Sequence, residues 1–371
     1  MNKKVIDIGI LGTRGIPARY GGFETFAEEL SLRLVARGYQ VTVYKRHAFG
    51  QKTEKFSNYK NVQVISTPTI MHKYLETPLH SLTSFIDLFF RKIDVVLLCN
   101  AANSPFAFLC RIKGTPLTIN VDGIERKRAK WNMLGRLWYL LGEQCSVWFA
   151  NRVIADAQVI ADYYKENYKI DTEVIAYGAN AQKTEAGQVL KQFNLAAGKY
   201  ILYVSRLEPE NNALGVIQAY NKLSTDVPLV IVGDAPYAKE YIATLKSTAN
   251  KNVIFTGYQF AEAYQELQSN CLIYIQATEV GGTHPALIES MAHGNCVIAN
   301  GTPENIEVLG EAGLIYERNN FNELAALIEE LLGNPAKVNN LREKAKARAN
   351  QVYNWDRITE QYEKLFQSLV S

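Results

Sequence analysis

The sequence predicts an α/β protein of two doubly wound, mostly parallel sheets, and three observations carry that expectation. The chain has 371 residues, more than one ordinary α/β core holds, so its length points to two domains with a central cleft between them. Short apolar runs alternate with amphipathic stretches from end to end, the pattern of βαβ units. A glycine-rich turn follows the first apolar run, as it does where a strand feeds a helix in a parallel sheet. Composition agrees, because 47% hydrophobic and 21% charged residues describe a globular chain rather than a disordered or fibrous one.

The opening reads strand, glycine loop, helix, strand: VIDIGIL, GTRGIPARYGG, FETFAEELSLRLVARG and QVTVYKR. In the helix Phe23, Phe26, Ala27, Leu30 and Leu34 recur on one face, and Gly38 ends it. Further strands are predicted at VQVIST, DVVLLC, LTINVD and RVIADA, with helical patterns between them. A second series begins near Lys199 with KYILYVSR and continues through PLVIVGD, NVIFTGY, CLIYIQAT and NCVIANG. Between the series lies YGANAQKTEAGQ, small and polar, so the expected division is residues 1–180 against 181–351. In residues 352–371, Trp355, Ile358, Tyr362, Leu365 and Phe366 have near-helical spacing. They predict an amphipathic helix whose apolar face needs a partner, expected on the first domain.

The net charge of +3 hides an asymmetry: residues 1–180 carry 24 Lys+Arg against 16 Asp+Glu, whereas residues 181–371 carry 16 against 21. A half at +8 suits an anionic partner such as phosphate-bearing lipid, a membrane surface or nucleic acid, and equally an ordinary solvated surface. Cys99, Cys110, Cys145, Cys271 and Cys296 contain no C-x-x-C pair and sit mostly in apolar runs. That predicts buried thiols, no disulfide, no zinc and a reducing, cytoplasmic setting. The N-terminal lysines have the look of a signal peptide, but Asp7 interrupts the apolar stretch and a glycine turn follows, so a first strand is expected. The long apolar stretches at residues 85–99 and 134–150 are broken by Asp87, Arg91, Lys92, Asp94 and Glu143. Neither predicts a span, so membrane contact is expected only as a peripheral one on the inner face of the plasma membrane.

The first loop, GILGTRG, resembles a dinucleotide fingerprint, whose glycines let backbone amides such as that of Gly15 approach a phosphate. A short-chain dehydrogenase also needs a tyrosine followed four residues later by lysine, and none of the 21 tyrosines has one, so the nicotinamide reading falls. The insertion PARYGGFE lengthens the loop and sets Tyr20, Gly21, Gly22 and Glu24 at the helix start as a second anion or acceptor loop. Glu24 reads equally as a first-turn helix carboxylate. The sharpest constellation is TEVGGTHPALIESMAHG, where Gly281, Gly282 and Thr283 precede Pro285 at the first turn of a helix. Free N–H groups and the helix dipole favour a diphosphate there. Glu289, one turn further in, is placed to accept from a ribose hydroxyl. Arg206 follows the strand YILYVS at the C-terminal edge of a parallel sheet, where a guanidinium can clamp a departing diphosphate.

Together these residues resemble the retaining glycosyltransferases of family 4, whose two Rossmann domains form the GT-B fold, and the resemblance covers nearly the whole chain. GTRGIPARYGGFET and NVDGIERKRAKW are similar to a branch of bacterial rhamnosyltransferases for capsule and cell-wall polysaccharides, while VGGTHPALIESMA is specific to the wider family. The resemblance implies a nucleotide-diphosphate sugar held between the halves and passed to a lipid-linked or saccharide acceptor in polysaccharide assembly. L-rhamnose from dTDP-rhamnose is the first expectation, and a glucosyl, mannosyl or N-acetylhexosaminyl group from a UDP- or GDP-sugar is the alternative. It implies neither cofactor nor metal, in line with the lack of any D-x-D string. Two departures stand out. Where the family carries two glutamates separated by seven residues, this chain has Gly281 and Glu289, with Glu279 two residues early. Where the family places a lysine after its arginine, RLEPENN has Glu210 and Asn211. Phosphate neutralisation then leans on Arg206, the helix N-terminus, His284 and Arg14.

In the first half Asp122 follows LTINV, so it stands at a strand end facing the cleft and is the preferred catalytic carboxylate. If the departing diphosphate deprotonates the acceptor, as in this family, Asp122 orients that acceptor or stabilises developing positive charge. Asp156, after VIA, is the weaker candidate and equally a helix cap. Tyr258, in FTGYQF, is a candidate neighbour of the base and equally a core aromatic. Residues 125–148 alternate basic and aromatic side chains, among them Arg126, Lys127, Arg128, Lys130, Trp131, Arg136 and Trp148. Such a helix suits an anionic headgroup region, and equally a core helix with solvated arginines; nucleic acid is the weaker expectation. A non-catalytic binding protein on the same fold needs only Arg206, the glycine loop and Glu289, and candidates in both halves argue against it.

Overall fold

The apolar runs pair side by side in a computed structural model that describes residues 5–18, 21–72, 74–128, 131–181 and 183–370. The chain divides into two units, residues up to Tyr177 with those from Trp355 onward, and Gly178–Asn354. The first is built on β1 (Asp7–Leu11), β2 (Gln40–Ala48), β3 (Phe56–Tyr59), β4 (Val62–Thr69), β5 (Val95–Cys99), β6 (Leu117–Asn120), β7 (Arg152–Ala155) and β8 (Glu173–Val174). They lie in the order β3-β4-β2-β1-β5-β6-β7-β8, parallel except where β3 meets β4. Every residue of β5, VVLLC, is buried, as a central parallel strand covered on both faces requires. The helices of this sheet are α1 (Gly22–Ala36), α2 (Glu76–Phe89), α3 (Phe108–Lys113), α4 (Met133–Phe149) and α5 (Gln158–Tyr168).

In the second unit β9 (Ile201–Val204), β10 (Leu229–Val232), β11 (Val253–Gly257), β12 (Ile273–Gln276), β13 (Cys296–Asn300) and β14 (Leu314–Tyr316) are all parallel, in the order β11-β10-β9-β12-β13-β14. Its helices are α6 (Gln188–Gln192), α7 (Ala213–Tyr220), α8 (Lys239–Thr248), α9 (Ala261–Asn270), α10 (Pro285–Ala292), α11 (Pro303–Leu309), α12 (Phe321–Leu332) and α13 (Pro335–Val352). Ile201, Tyr203, Ile231, Ile275 and Ile298 meet helix residues such as Val216 and Ile328 in one fully buried core.

The last helix, α14 (Trp355–Val370), belongs to the first unit. Its buried face of Trp355, Ile358, Tyr362, Leu365 and Phe366 is the apolar stripe read from the sequence. Phe26 of α1 stands 5.5 Å from the Tyr362 ring and 6.1 Å from Trp355, and the Tyr362 hydroxyl accepts from Asn120 of β6.

Each sheet reverses its order once, and this places the site. The first is laid outward from β1 through β2 to β4 and then restarts at β5 on the other side; the second runs from β9 to β11 and restarts at β12. The crevice beyond the C-terminal ends at such a reversal is where open α/β sheets collect ligands. All five cysteines are free and buried. Among the described residues no helix is long and apolar enough to cross a membrane.

Candidate active site

In the second unit the reversal brings together the loops that follow β9 and β12. The Glu279 amide donates to the Glu210 carbonyl at 3.0 Å, and the Asn212 side chain donates to the Ala277 carbonyl and the Glu279 carboxylate at 3.0 and 2.9 Å. The first loop carries Arg206 and the second carries Gly281, Gly282, Thr283 and His284 into Pro285, the first residue of α10. His284 caps α10 and its ring lies over Gly281, where an added Cβ would meet Cε1 at 2.4 Å. The imidazole thus fills the space that any side chain at position 281 would need.

Arg206 is held by a residue that pattern reading passes over. Its guanidinium pairs with Glu208 at 3.6 Å, Glu208 is 3% exposed, and the Tyr237 hydroxyl donates to the same carboxylate. A buried acid beneath a half-exposed arginine fixes the direction of the guanidinium and leaves it charged. Glu289, one turn into α10, accepts from the Tyr264 hydroxyl at 2.6 Å, and Tyr264 in turn accepts from Gln268 at 2.9 Å. Burial pushes the Tyr264 phenol well up, so it remains a donor to Glu289. Tyr258 is half-buried, donates to the Asp234 carbonyl at 2.9 Å and stacks on the exposed Phe260 ring at 5.6 Å. It belongs to a surface aromatic pair, not to the core.

In the first unit Asp122 takes φ 57° just after β6, its amide donating to the Asn120 side chain and its carboxylate accepting from Tyr177 at 3.2 Å. Burial and then Glu125 push its carboxyl up to about 6, against the pull of Arg128 and the Tyr177 hydroxyl. Asp156 is only 1% exposed, whereas Asp122 is half-buried.

The first glycine loop differs from the phosphate cradle its sequence suggests. The Arg14 amide donates to Glu24 at 2.8 Å and the Gly15 amide to the Thr13 hydroxyl at 3.0 Å, so both amides are engaged within the loop. Gly12 lies at φ +93°, and an added Cβ would stand 2.1 Å from the Cys99 carbonyl, so this glycine serves close packing of two strand ends. The Arg14 side chain lies 3.4 Å from Glu76. Glu24, with burial raising its pKa, is the clasp of the loop rather than a solvent-facing acceptor contact. Gly21 caps α1, which Gly22 opens, and Tyr20 lies outside the described residues.

Residues 125–148 also depart from expectation, because they are not one helix. A short 3-10 turn at Glu125–Lys127 precedes α4, Lys130 lies outside the described residues, and Arg126 and Arg128 turn toward the protein while Arg136 is exposed. Arg128 pairs with Glu125 at 2.6 Å, and Arg126 with the buried Glu143 at 3.0 Å. Glu143 also accepts from Tyr163 and Tyr168, a knot joining α4 to α5.

Comparison with known proteins finds family matches over most of the chain. Residues 190–348 match the family described as glycosyl transferases group 1, and residues 5–180 match a domain of unknown function, DUF1972. The O-antigen chain mannosyltransferase B of Escherichia coli is 25% identical over 47% of this chain and 47% of its own. An N-acetylgalactosaminyltransferase of Campylobacter jejuni acting on a diphospho-undecaprenol-linked saccharide is 30% identical over 41% of this chain and 42% of its own. The chain spans about half the length of the curated relatives it matches. Among solved structures, a sucrose-phosphate synthase of Thermosynechococcus elongatus superposes with TM-score 0.84 at 18% identity, covering 98% of this chain and 99% of that one. Anabaena HepE in complex with UDP gives 0.77 at 17%, covering 99% and 100%. The chain therefore has the GT-B fold, and its residues 190–348 match the group 1 glycosyl transferase family.

Proposed function

We propose that this protein is a retaining glycosyltransferase that moves a hexosyl or N-acetylhexosaminyl group from a UDP- or GDP-sugar to a lipid-linked or saccharide acceptor in surface polysaccharide assembly. The observation that supports the reading is the junction of the β9 and β12 loops, of which one carries Arg206, paired with Glu208, and the other the glycine-rich entry to α10. Helix N-terminus and guanidinium together offer a diphosphate preorganised positive charge, and that charge matters most as the leaving group gains negative charge. The bond from the sugar C1 to the diphosphate oxygen breaks, the acceptor oxygen bonds to C1 on the same face, and its proton passes to the departing diphosphate. Glu289, oriented by Tyr264, accepts from the ribose, and Asp122 orients the acceptor. No cation is assigned to this charge balance.

The donor class draws on the relatives, whose names give mannosyl and N-acetylgalactosaminyl transfer, and on the UDP held by HepE. None of the relatives named above points to rhamnose, so dTDP-rhamnose is the narrower reading and serves as a contrasting ligand. A ligand selective for the folded state raises its melting temperature by mass action. UDP or GDP is expected to do so in the presence of EDTA, and NAD is not. A shift with NAD alone overturns the proposal, and a shift with dTDP alone moves the donor to the rhamnose branch. Arg206→Ala is expected to raise the nucleotide Kd roughly ten- to hundredfold, the weight of a charged hydrogen bond of about 1.5–3 kcal/mol.

A further inference from the structure

Helix α4 is turned inside out. Met133, Leu134, Leu137, Leu140, Leu141 and Trp148 are exposed, with 76% of Met133, 73% of Leu134 and 60% of Trp148 open to solvent. They recur at intervals of three, four and seven, so they form one stripe along the helix. The buried residues are instead Gly135, Gly142, Glu143, Cys145 and Ser146. The helix cannot roll its apolar stripe inward. Gly142 lies so close to the Ala101 carbonyl that an added Cβ would stand 2.4 Å from it, Glu143 is tied to Arg126, Tyr163 and Tyr168, and the Trp138 indole donates to the Ala102 carbonyl at 3.0 Å. The stripe continues onto α3 through rings: Trp148 is 6.4 Å from Phe149, Phe149 is 6.3 Å from Phe108, and Ile112 is 68% exposed one turn on.

The exposed charges that α3 and α4 themselves carry have one sign. The sole exposed polar side chain within α4 is Arg136, and α3 adds Arg111 and Lys113; the one carboxylate of the two helices, Glu143, is 4% exposed. We propose that this face of the first unit docks on an anionic lipid bilayer, the apolar stripe entering the headgroup boundary while Arg111 and Arg136 meet lipid phosphates. Large apolar side chains rimmed by cations suit that interface, each neighbouring cation adding to the attraction. A second copy of this chain fits less well, because a two-fold contact brings each arginine toward its own symmetry mate. The inference concerns the first unit alone and stands apart from the donor chemistry of the second.

The test is flotation of the full chain with phosphatidylcholine vesicles, with and without phosphatidylglycerol. At least tenfold more protein should float with the anionic vesicles, with tryptophan emission shifting to the blue and Trp148→Phe removing most of that shift. Leu137→Glu/Leu141→Glu should lower the bound fraction at least tenfold, and Arg111→Glu/Arg136→Glu should erase the preference for phosphatidylglycerol, with melting temperature and nucleotide affinity unchanged in both. Parental binding by both double variants overturns the proposal, as does failure of the parent to bind anionic vesicles. So does a dimer in sedimentation equilibrium that the leucine pair splits while vesicles capture nothing, since the face then belongs to a second copy.

Discussion

At Asp122 burial and chemistry pull against each other. Its carboxyl is pushed up to about 6, first by burial and then by Glu125. A carboxyl raised above its unfolded value favours the protonated folded chain, so the cost is absent below about pH 4, grows as pH rises from about 4 to about 6, and is complete above that. Asp122→Asn removes a charge the fold disfavours. The variant should therefore melt above the parent at pH 7.5, with the advantage vanishing by about pH 4, while donor binding persists and transfer is abolished. Parental turnover would remove Asp122 from the mechanism, and a stability difference independent of pH would contradict its buried ionisation. The position of Asp122 was legible because the run LTINV delivers it to a strand end. Its partner Tyr177 was not, since the hydrogen bond joins residues 55 apart and leaves no local pattern. Tyr264 beneath Glu289, 25 residues away, escaped for the same reason.

At the scale of elements, burial decides what a sequence displays. The buried strands stand out as apolar runs because both faces are covered, whereas β3, FSNY, is mostly exposed at the sheet edge, and β8 is two residues long. Neither has a pattern to read. The first glycine loop was legible as a turn, but the demand on Gly12 was not, because it comes from the Cys99 carbonyl in a neighbouring strand far along the chain. Gly12→Ala should cost about 2–4 kcal/mol, from a strained φ and a backbone overlap together, measured by urea unfolding. UDP affinity should stay within twofold of the parent among the molecules that remain folded. A selective loss of nucleotide affinity with stability intact would return this loop to the donor site. Helix α4 shows the complementary failure: periodicity reveals that a stripe exists and cannot say which way it faces.

At the scale of the whole molecule, the alternation of runs and amphipathic stretches was enough to specify two parallel sheets, because parallel neighbours need a helical crossover between them. The glycine-rich entry to α10 was legible too, since the residues that make it are consecutive. Sugar and base were not, because no consecutive residues encode a nucleobase or a hydroxyl configuration. The excess of positive charge in the first half is in part internal, in pairs such as Arg46 with Glu76 and Arg126 with Glu143, and in part on the face of α3 and α4. The central claim is that the diphosphate rests at the N-terminus of α10 with Arg206 beside it. The most direct measurement is a crystal structure of the chain with UDP bound. The account predicts the β-phosphate about 3 Å from backbone amides within residues 282–284 and from the Arg206 guanidinium; a nucleotide seated only against the Gly12–Gly15 loop of the first unit would contradict it.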